Sequence, residues 1–96
     1  MPFDFKDLLF DINYDKETDS FRVACRVRDT DKNYVGEIYA TRIKKQNVQN
    51  VYYTYNGKVI AVCGVQTNKE VTHSCQAFLV AFLCNEDVIK IEENVS

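Results

Sequence analysis

The sequence contains few residues that interrupt regular structure: one proline, Pro2, and three glycines among 96 residues. So few breakers predict short, defined connections between elements. Long apolar runs are missing too. The run AFLVAFLC at 77–84 has eight residues, whereas an α-helix needs about 20 to span a bilayer. This run is therefore excluded as a membrane-spanning helix, and we expect no membrane partner.

The common motifs of catalysis and cofactor binding are also missing. The sequence has no glycine-rich phosphate loop, no Gly-x-Ser-x-Gly and no dinucleotide fingerprint. Its one histidine, His73, lies two residues from Cys75 in a segment with helical periodicity, where residues two apart do not face each other. No pair of cysteines has the Cys-x₂₋₄-Cys spacing typical of a zinc site. We therefore expect neither an enzyme nor a bound cofactor or metal ion.

The four cysteines could form two disulfides in a secreted domain. They are Cys25, Cys63, Cys75 and Cys84. Each lies among apolar residues or inside a periodic element, which favours reduced thiols packed as small hydrophobic side chains. The first ten residues, MPFDFKDLLF, have neither the basic lead nor the long apolar core of a secretory signal. These features predict a protein that is not secreted and resides in a reducing compartment, cytoplasmic or nuclear.

What the sequence does contain is enough apolar residues for one small core. With 96 residues, we expect a single α+β domain over 1–96, since a domain typically has 50–250 residues. Three segments are predicted to be strands, the first two because they place apolar and polar residues on alternate faces in the manner of half-buried strands. They are LLFDINY (8–14), FRVACRVRD (21–29) and YVGEIYATRI (34–43). In the third segment, Gly36 indicates a bulge or a close approach of the backbone to another element. The segment KKQNVQN (44–50) is interpreted as a basic, amide-rich connection.

The segment VYYTYNGKVIAV (51–62) predicts a β-hairpin. Asn-Gly readily takes the two positive φ angles of a type I′ turn. A regular register pairs Thr54 with Val59 and Tyr53 with Ile60. Because cross-strand partners share a face, both faces of this hairpin would be substantially apolar, which favours a central position covered on both sides.

The C-terminal third predicts a helix over about 69–84. Thr67 followed three residues later by Glu70 is the pattern of a capping box. Helical periodicity then runs through Val71, Cys75, Phe78, Leu79, Phe82 and Leu83. The first half is amphipathic. In the second half Ala77, Val80, Ala81 and Cys84 lie away from the stripe of Phe78 and Phe82, which is typical of a helix buried on all sides.

The order of elements predicts an α+β fold, with an antiparallel five- to six-stranded meander and one C-terminal helix packed on it. VIKIEE (88–93) predicts a final short strand. One helix can cover only one face of such a sheet. We therefore expect the other face to be polar, curled shut, or covered by a second copy or a partner.

Charge is distributed unevenly along the chain. Residues 1–21 hold two basic and six acidic side chains, residues 22–58 hold eight and three, and residues 59–96 hold two and five. In the basic middle, alternation places three arginines on one face of a strand, with a fourth on the next strand. The candidate partner-binding residues are Arg22, Arg26, Arg28, Arg42, Tyr53 and Tyr55. These residues fit a solvated outer face, a contact with an acidic protein, or stacking and phosphate contacts with a single-stranded nucleic acid.

The excess of apolar surface favours a non-enzymatic protein-binding module that self-associates and acts by occupying a partner's surface. Such a module would be of the inhibitor or accessory type, and the composition fits a protein encoded by a virus or mobile element. A homodimer would form through the C-terminal half of the helix or through an edge strand. The candidate self-association residues are Leu79, Val80 and Leu83. The alternative function is a single-stranded nucleic-acid-binding domain that uses the arginine- and tyrosine-bearing sheet face.

Overall fold

The computed structural model of this chain describes residues 2–29 and 33–91 and confirms the α+β class. Its strands are β1 (Phe3–Asp4), β2 (Leu8–Asp15), β3 (Ser20–Val27), β4 (Tyr34–Lys45), β5 (Val48–Tyr55), β6 (Lys58–Cys63) and β7 (Ile89–Lys90), and its one α-helix is α1 (Asn68–Asn85). A single 3-10 turn at Phe5–Asp7 links β1 to β2. The predicted helix at about 69–84 is confirmed to within one residue at each end.

Five strands form the main sheet in the order β2-β3-β4-β5-β6, all antiparallel. The final strand is short, as predicted, and it lies outside this sheet. β7 pairs in parallel with β1, Phe3 opposite Ile89 and Asp4 opposite Lys90. Residues 92 and 93 of the predicted strand lie outside the described residues. The two ends of the described chain are thus joined by a small ribbon of their own.

The Asn-Gly hairpin is confirmed at its turn and differs further along. Asn56 and Gly57 have φ of 52° and 78°, as a type I′ turn requires. Thr54 pairs with Val59, as predicted, but a bulge then shifts the register, so that Tyr53 pairs with Ala61 rather than with Ile60. The bulge reverses which face of the sheet the following β6 side chains occupy. Because the residues from Val59 to Cys63 are all apolar, the alternation of polar and apolar residues cannot reveal this reversal.

The prediction that 44–50 is a connection was wrong. β4 continues to Lys45 and β5 begins at Val48, which leaves a two-residue turn. Gln46 and Asn47 in this turn have φ of 51° and 64°, again the type I′ geometry. The pairing of β4 with β3 ends at Thr41. The end of the β4–β5 hairpin therefore extends past its neighbours as a two-stranded ribbon.

α1 begins with the capping box that the sequence predicts. The backbone N–H of Glu70 donates to Thr67 Oγ1 (3.1 Å), and the backbone N–H of Thr67 donates to Glu70 Oε1 (2.9 Å). The helix packs across β3 and β4. Its buried side chains are Val71, Cys75, Leu79 and Leu83. They meet sheet residues that include Phe21, Val23, Cys25, Ile38, Ala40, Val51 and Tyr53 to form one core.

Gly36 allows the helix to approach the sheet closely. A Cβ atom at this position would lie 2.8 Å from Leu83 Cδ2, too close for any side chain unless the leucine shifts. The register also slips here, since Cys25 pairs with Gly36 but Arg26 pairs with Tyr34. Both readings of Gly36, a bulge and a close approach, are therefore confirmed.

Candidate protein-binding surfaces

The two faces of the main sheet differ in their cover. The inner face carries Val23, Ile38 and Tyr53 against α1, and all three are fully buried. The outer face is the opposite side of the sheet, and no helix among the described residues covers it. Arg22 and Arg26 lie on this outer face, as the alternation of β3 predicts.

The outer-face arginines are already paired with carboxylates. Arg22 Nε donates to Glu37 Oε2 (2.7 Å), and Arg26 Nε donates to Asp11 Oδ2 (3.0 Å). The hydroxyl of Tyr34 donates to the same Asp11 oxygen (3.0 Å). The Arg22 guanidinium also lies over the Tyr34 ring, 5.3 Å from its centroid. These contacts offset the positive charge of Arg22 and Arg26.

Arg28 and Arg42 are not part of this cluster. Arg28 follows the end of β3 and is exposed, and its Nη2 donates to the carbonyl of Lys6 (3.2 Å). Arg42 lies on the inner face, and its side chain is only 9% exposed. Its Nη1 contacts Asp19 Oδ1 (2.7 Å), while Nη2 donates to the Gln66 carbonyl (2.9 Å) and to Asn68 Oδ1 (2.7 Å). Arg42 therefore ties the β2–β3 turn to the start of α1 and is not available to a partner.

The two candidate tyrosines are also on the inner face. Tyr53 is fully buried, and its hydroxyl donates to Gln66 Oε1 (2.5 Å). Tyr55 is 8% exposed and stacks on Phe82 with 4.5 Å between ring centroids. Its hydroxyl donates to the Glu86 carboxylate (2.9 and 3.0 Å). Burial, reinforced by this carboxylate, raises the pKa of Tyr55 to about 12. Both side chains hold α1 onto the sheet.

The three candidate self-association residues differ in how deeply their side chains are buried. Leu79 is 0% and Leu83 is 1% exposed, so both belong to the core and neither can reach another chain in this fold. Val80 is half-buried. The second half of α1 is covered on one side only, because Ala77 and Ala81 are exposed.

Val80 lines a groove of about 410 Å³ between α1 and the N-terminal segment. The lining residues are Phe5, Phe10, His73, Gln76, Ala77 and Val80. The rings of Phe5 and Phe10 lie 6.3 Å apart and are tilted by 49°. Phe5 is 40% exposed although it is a large apolar residue. The groove is thus an open, concave and mostly apolar surface, with polar groups supplied by α1.

Sequence reasoning missed this groove because its walls come from opposite ends of the chain. The sequence does indicate the wall that α1 contributes, since Ala77 and Val80 form a second apolar side of the helix. That side was attributed to complete burial. The signal for the other wall is Phe5, one of two phenylalanines in the first five residues.

The two buried thiols show little nucleophilic character. All four cysteines are free, and Cys25 and Cys75 are buried. Burial raises the pKa of Cys25 to about 11 and that of Cys75 to about 12, so both thiols stay protonated at neutral pH. In the part of the chain that the structure describes, no three His, Cys, Asp or Glu side chains come together in a group able to hold a metal ion. None of the described helices has the length and hydropathy to cross a membrane.

Comparisons with known proteins do not assign this chain to a family. No protein-family model matches the sequence, and no curated protein or solved structure is significantly similar to it.

Proposed function

We propose that the protein is a non-enzymatic protein-binding module of the accessory or inhibitor type, and that it binds an apolar segment of a partner protein in the groove beside α1. The observation that carries this proposal is the exposure of Phe5 and Ala77 on either side of a concave apolar surface. An amphipathic segment that lies in such a groove buries its own apolar side chains and those of the groove together.

The shape and polarity of the groove fit a protein segment better than a small molecule. Its volume is within the range of ligand sites, which is roughly 300–1,000 Å³, but it is an open surface. Sites for small molecules also carry a few convergent polar groups that fix the ligand. Here the polar lining is His73 and Gln76, both from the same helix. The α1 side of the groove thus combines two polar side chains with Ala77 and Val80, and the opposite wall is formed by Phe5 and Phe10. An amphipathic helix or strand can match such a mostly apolar surface with a few polar groups along one side.

Nucleic acid is less well supported as a partner. Arg22 and Arg26 would have to leave Glu37 and Asp11 before they could contact phosphates. Tyr53 and Tyr55 are buried and cannot stack on bases. The free thiols support the further proposal that the protein works in a reducing compartment, since no disulfide links the four cysteines.

The decisive variant is Ala77→Asp, which places a carboxylate in the groove at an exposed helix position and so leaves the core intact. Val80→Asp is a second groove variant; because Val80 also packs against the core, its folding is verified by circular dichroism before binding is measured. The matched control is Val65→Asp, at a residue that is 77% exposed and is not a lining residue. Proteins that bind the wild type are purified and titrated directly against each variant. We expect the groove variants to bind at least about tenfold more weakly, a loss of about 1.4 kcal/mol, and the control to bind as the wild type does.

Two results would contradict the proposal. One is a set of partners that bind wild type, Ala77→Asp and Val65→Asp equally well. The other is a single fast-reacting thiol. With iodoacetamide at pH 6 we expect no cysteine to react much faster than the others. Catalytic cysteines have a lowered pKa, whereas burial raises the pKa of Cys25 and of Cys75.

A further inference from the structure

β6 forms one edge of the main sheet, and within residues 2–29 and 33–91 no strand pairs with its free side. Along an edge strand, a row of backbone N–H and C=O groups points away from the sheet. Such a row is a template for a strand of another chain. β6 therefore offers hydrogen-bonding groups in addition to its side chains.

The side chains of β6 make this edge apolar. Val59 is 56% and Val62 is 51% exposed. They pair with Thr54 and Tyr52 of β5 and so share the outer face. The bulge at Ile60 explains how two residues three apart come to lie on one side. The sequence from Val59 to Asn68 contains no charged residue.

The opposite edge is protected. β2 carries two acidic residues, Asp11 and Asp15, within its eight positions. Charged residues on an edge strand discourage pairing with other chains. β6 has only Lys58, at its first position beside the turn. Of the two free edges, β6 is the one that lacks this protection.

We infer that two copies of the chain pair through their β6 strands, antiparallel and about a two-fold axis, to form one continuous ten-stranded sheet. A two-fold axis midway between Ile60 and Ala61 places Val59 of each copy opposite Val62 of the other. Both valine pairs then lie on the outer face, where cross-strand aliphatic pairs stabilise a sheet.

This self-complementary pattern is what favours a second copy over an unrelated strand. The same axis places Lys58 of one copy opposite Cys63 of the other, so the two lysines lie five residues apart along the strands. At about 3.3 Å per residue this is roughly 16 Å, beyond the Debye length of about 8 Å at physiological salt. No like charges meet in the paired strands.

The dimer should be weak. The paired stretch is short, and a bulge on an edge strand limits how far a ladder can extend. Stable complexes bury roughly 1,200–2,000 Å², more than a few strand residues supply. We therefore expect a dimer that dissociates on dilution. No groove residue takes part, so this inference is independent of the proposed function.

Light scattering coupled to size-exclusion chromatography tests the inference on the full, reduced chain over about a hundredfold concentration range. Wild type should shift from the 11.1 kDa of one chain towards twice that mass. Val62→Lys should stay at the monomer mass throughout. The matched control Val65→Lys makes the same change two residues beyond the end of β6 and should dimerise like wild type. Both sites are exposed, so neither lysine disturbs the core.

Amide NMR spectra over the same concentrations locate the contact. We expect concentration-dependent shifts in the amides of β6 and none in those of β2. A monomer at every concentration would overturn the inference, as would a dimer that survives Val62→Lys. If both lysine variants lost the dimer, the contact would lie in the loop between β6 and α1, and this result would also overturn the inference. Ala77→Asp should still dimerise, which separates this test from that of the groove.

Discussion

Arg42 on the inner face and Arg22 on the outer face show how differently the two sides of one sheet use the same residue type. Each lies close to a carboxylate, Arg42 at 2.7 Å from Asp19 and Arg22 at 2.6 Å from Glu37. The side chain of Arg42 is 9% exposed, whereas that of Arg22 is 32% exposed. Arg42 also bonds to the segment that starts α1. The contacts of Arg42 join β4 to the β2–β3 turn and to the start of α1, whereas the outer pair links β3 and β4, which are already hydrogen-bonded neighbours.

The comparison shows which face of the sheet contributes more to the stability of the fold. Partly exposed ion pairs contribute about 0–1 kcal/mol, while hydrogen bonds to a charged group contribute about 1.5–3 kcal/mol. The inner face also holds the buried core, so it carries most of the stability of the fold. The outer face and the edge of β6 can change with little cost to the fold. In the groove this holds for exposed positions such as Ala77, but not for Phe10 and Val80, which pack against the core.

The largest effect is expected from Leu79→Ala, which removes a fully buried side chain between α1 and β4. We expect it to lower the free energy of unfolding by about 2–5 kcal/mol. Val62→Ala, on the uncovered face, should change it by less than about 0.5 kcal/mol. Urea unfolding followed by circular dichroism measures both at a concentration where the chain is monomeric. Equal losses would mean that the two faces do not differ as described.

A smaller difference is expected between the losses of stability that follow from replacing Arg42 and from replacing Arg22. Arg42→Met keeps the length of the side chain but removes the contacts to Asp19, Gln66 and Asn68, and should cost about 2 kcal/mol. Arg22→Met should cost less than about 1 kcal/mol. The same urea series measures both.

A double-mutant cycle with Asp19→Asn isolates the inner pair. We expect a coupling free energy between Arg42 and Asp19 of at least about 0.5 kcal/mol, as contacting residues usually show. A cycle between Arg22 and Glu37 should give a smaller value. The reverse order would show that exposure does not set the strength of these pairs.

Local chemistry explains which parts of the fold could be predicted. The Asn56-Gly57 turn, the Thr67–Glu70 capping box and the close approach at Gly36 each depend on a few adjacent residues. The alternation of β3 fixed the faces of its side chains in the same way. A further signal of this kind was available in β4, where Ile38, Ala40 and Arg42 alternate on one side and so place Arg42 inward.

The rest depends on contacts between distant residues. Phe5 and Val80 line the same groove although they lie near opposite ends of the chain, and no local pattern links them. The bulge at Ile60 falls in a run that is apolar on both faces, so alternation cannot detect it. The ribbon at 44–50 is rich in amide side chains, which are typical of loops as well as of exposed strands. Sequence alone could therefore name the apolar side of α1 but not what lies beside it.

The smallest expected effect is a pH dependence of the stability that the ion pair between Arg42 and Asp19 contributes. Burial alone would raise the pKa of Asp19, but hydrogen bonds from Tyr14 and Arg42 outweigh it and lower that pKa. A carboxylate whose pKa is lowered by folding stabilises the protein above its unfolded value of about 3.9. This stabilisation is lost as the pH falls through the folded pKa.

The stability difference between wild type and Arg42→Met should thus be nearly constant from pH 7 to about pH 5 and should shrink in more acidic solution. Urea midpoints between pH 7 and the acid limit of folding measure it. The change should be modest, because the Asp19 side chain is 36% exposed and water and salt screen its charge. A difference that stays constant down to the acid limit would show that Arg42 stabilises the fold through Gln66 and Asn68 alone, without its charge pair.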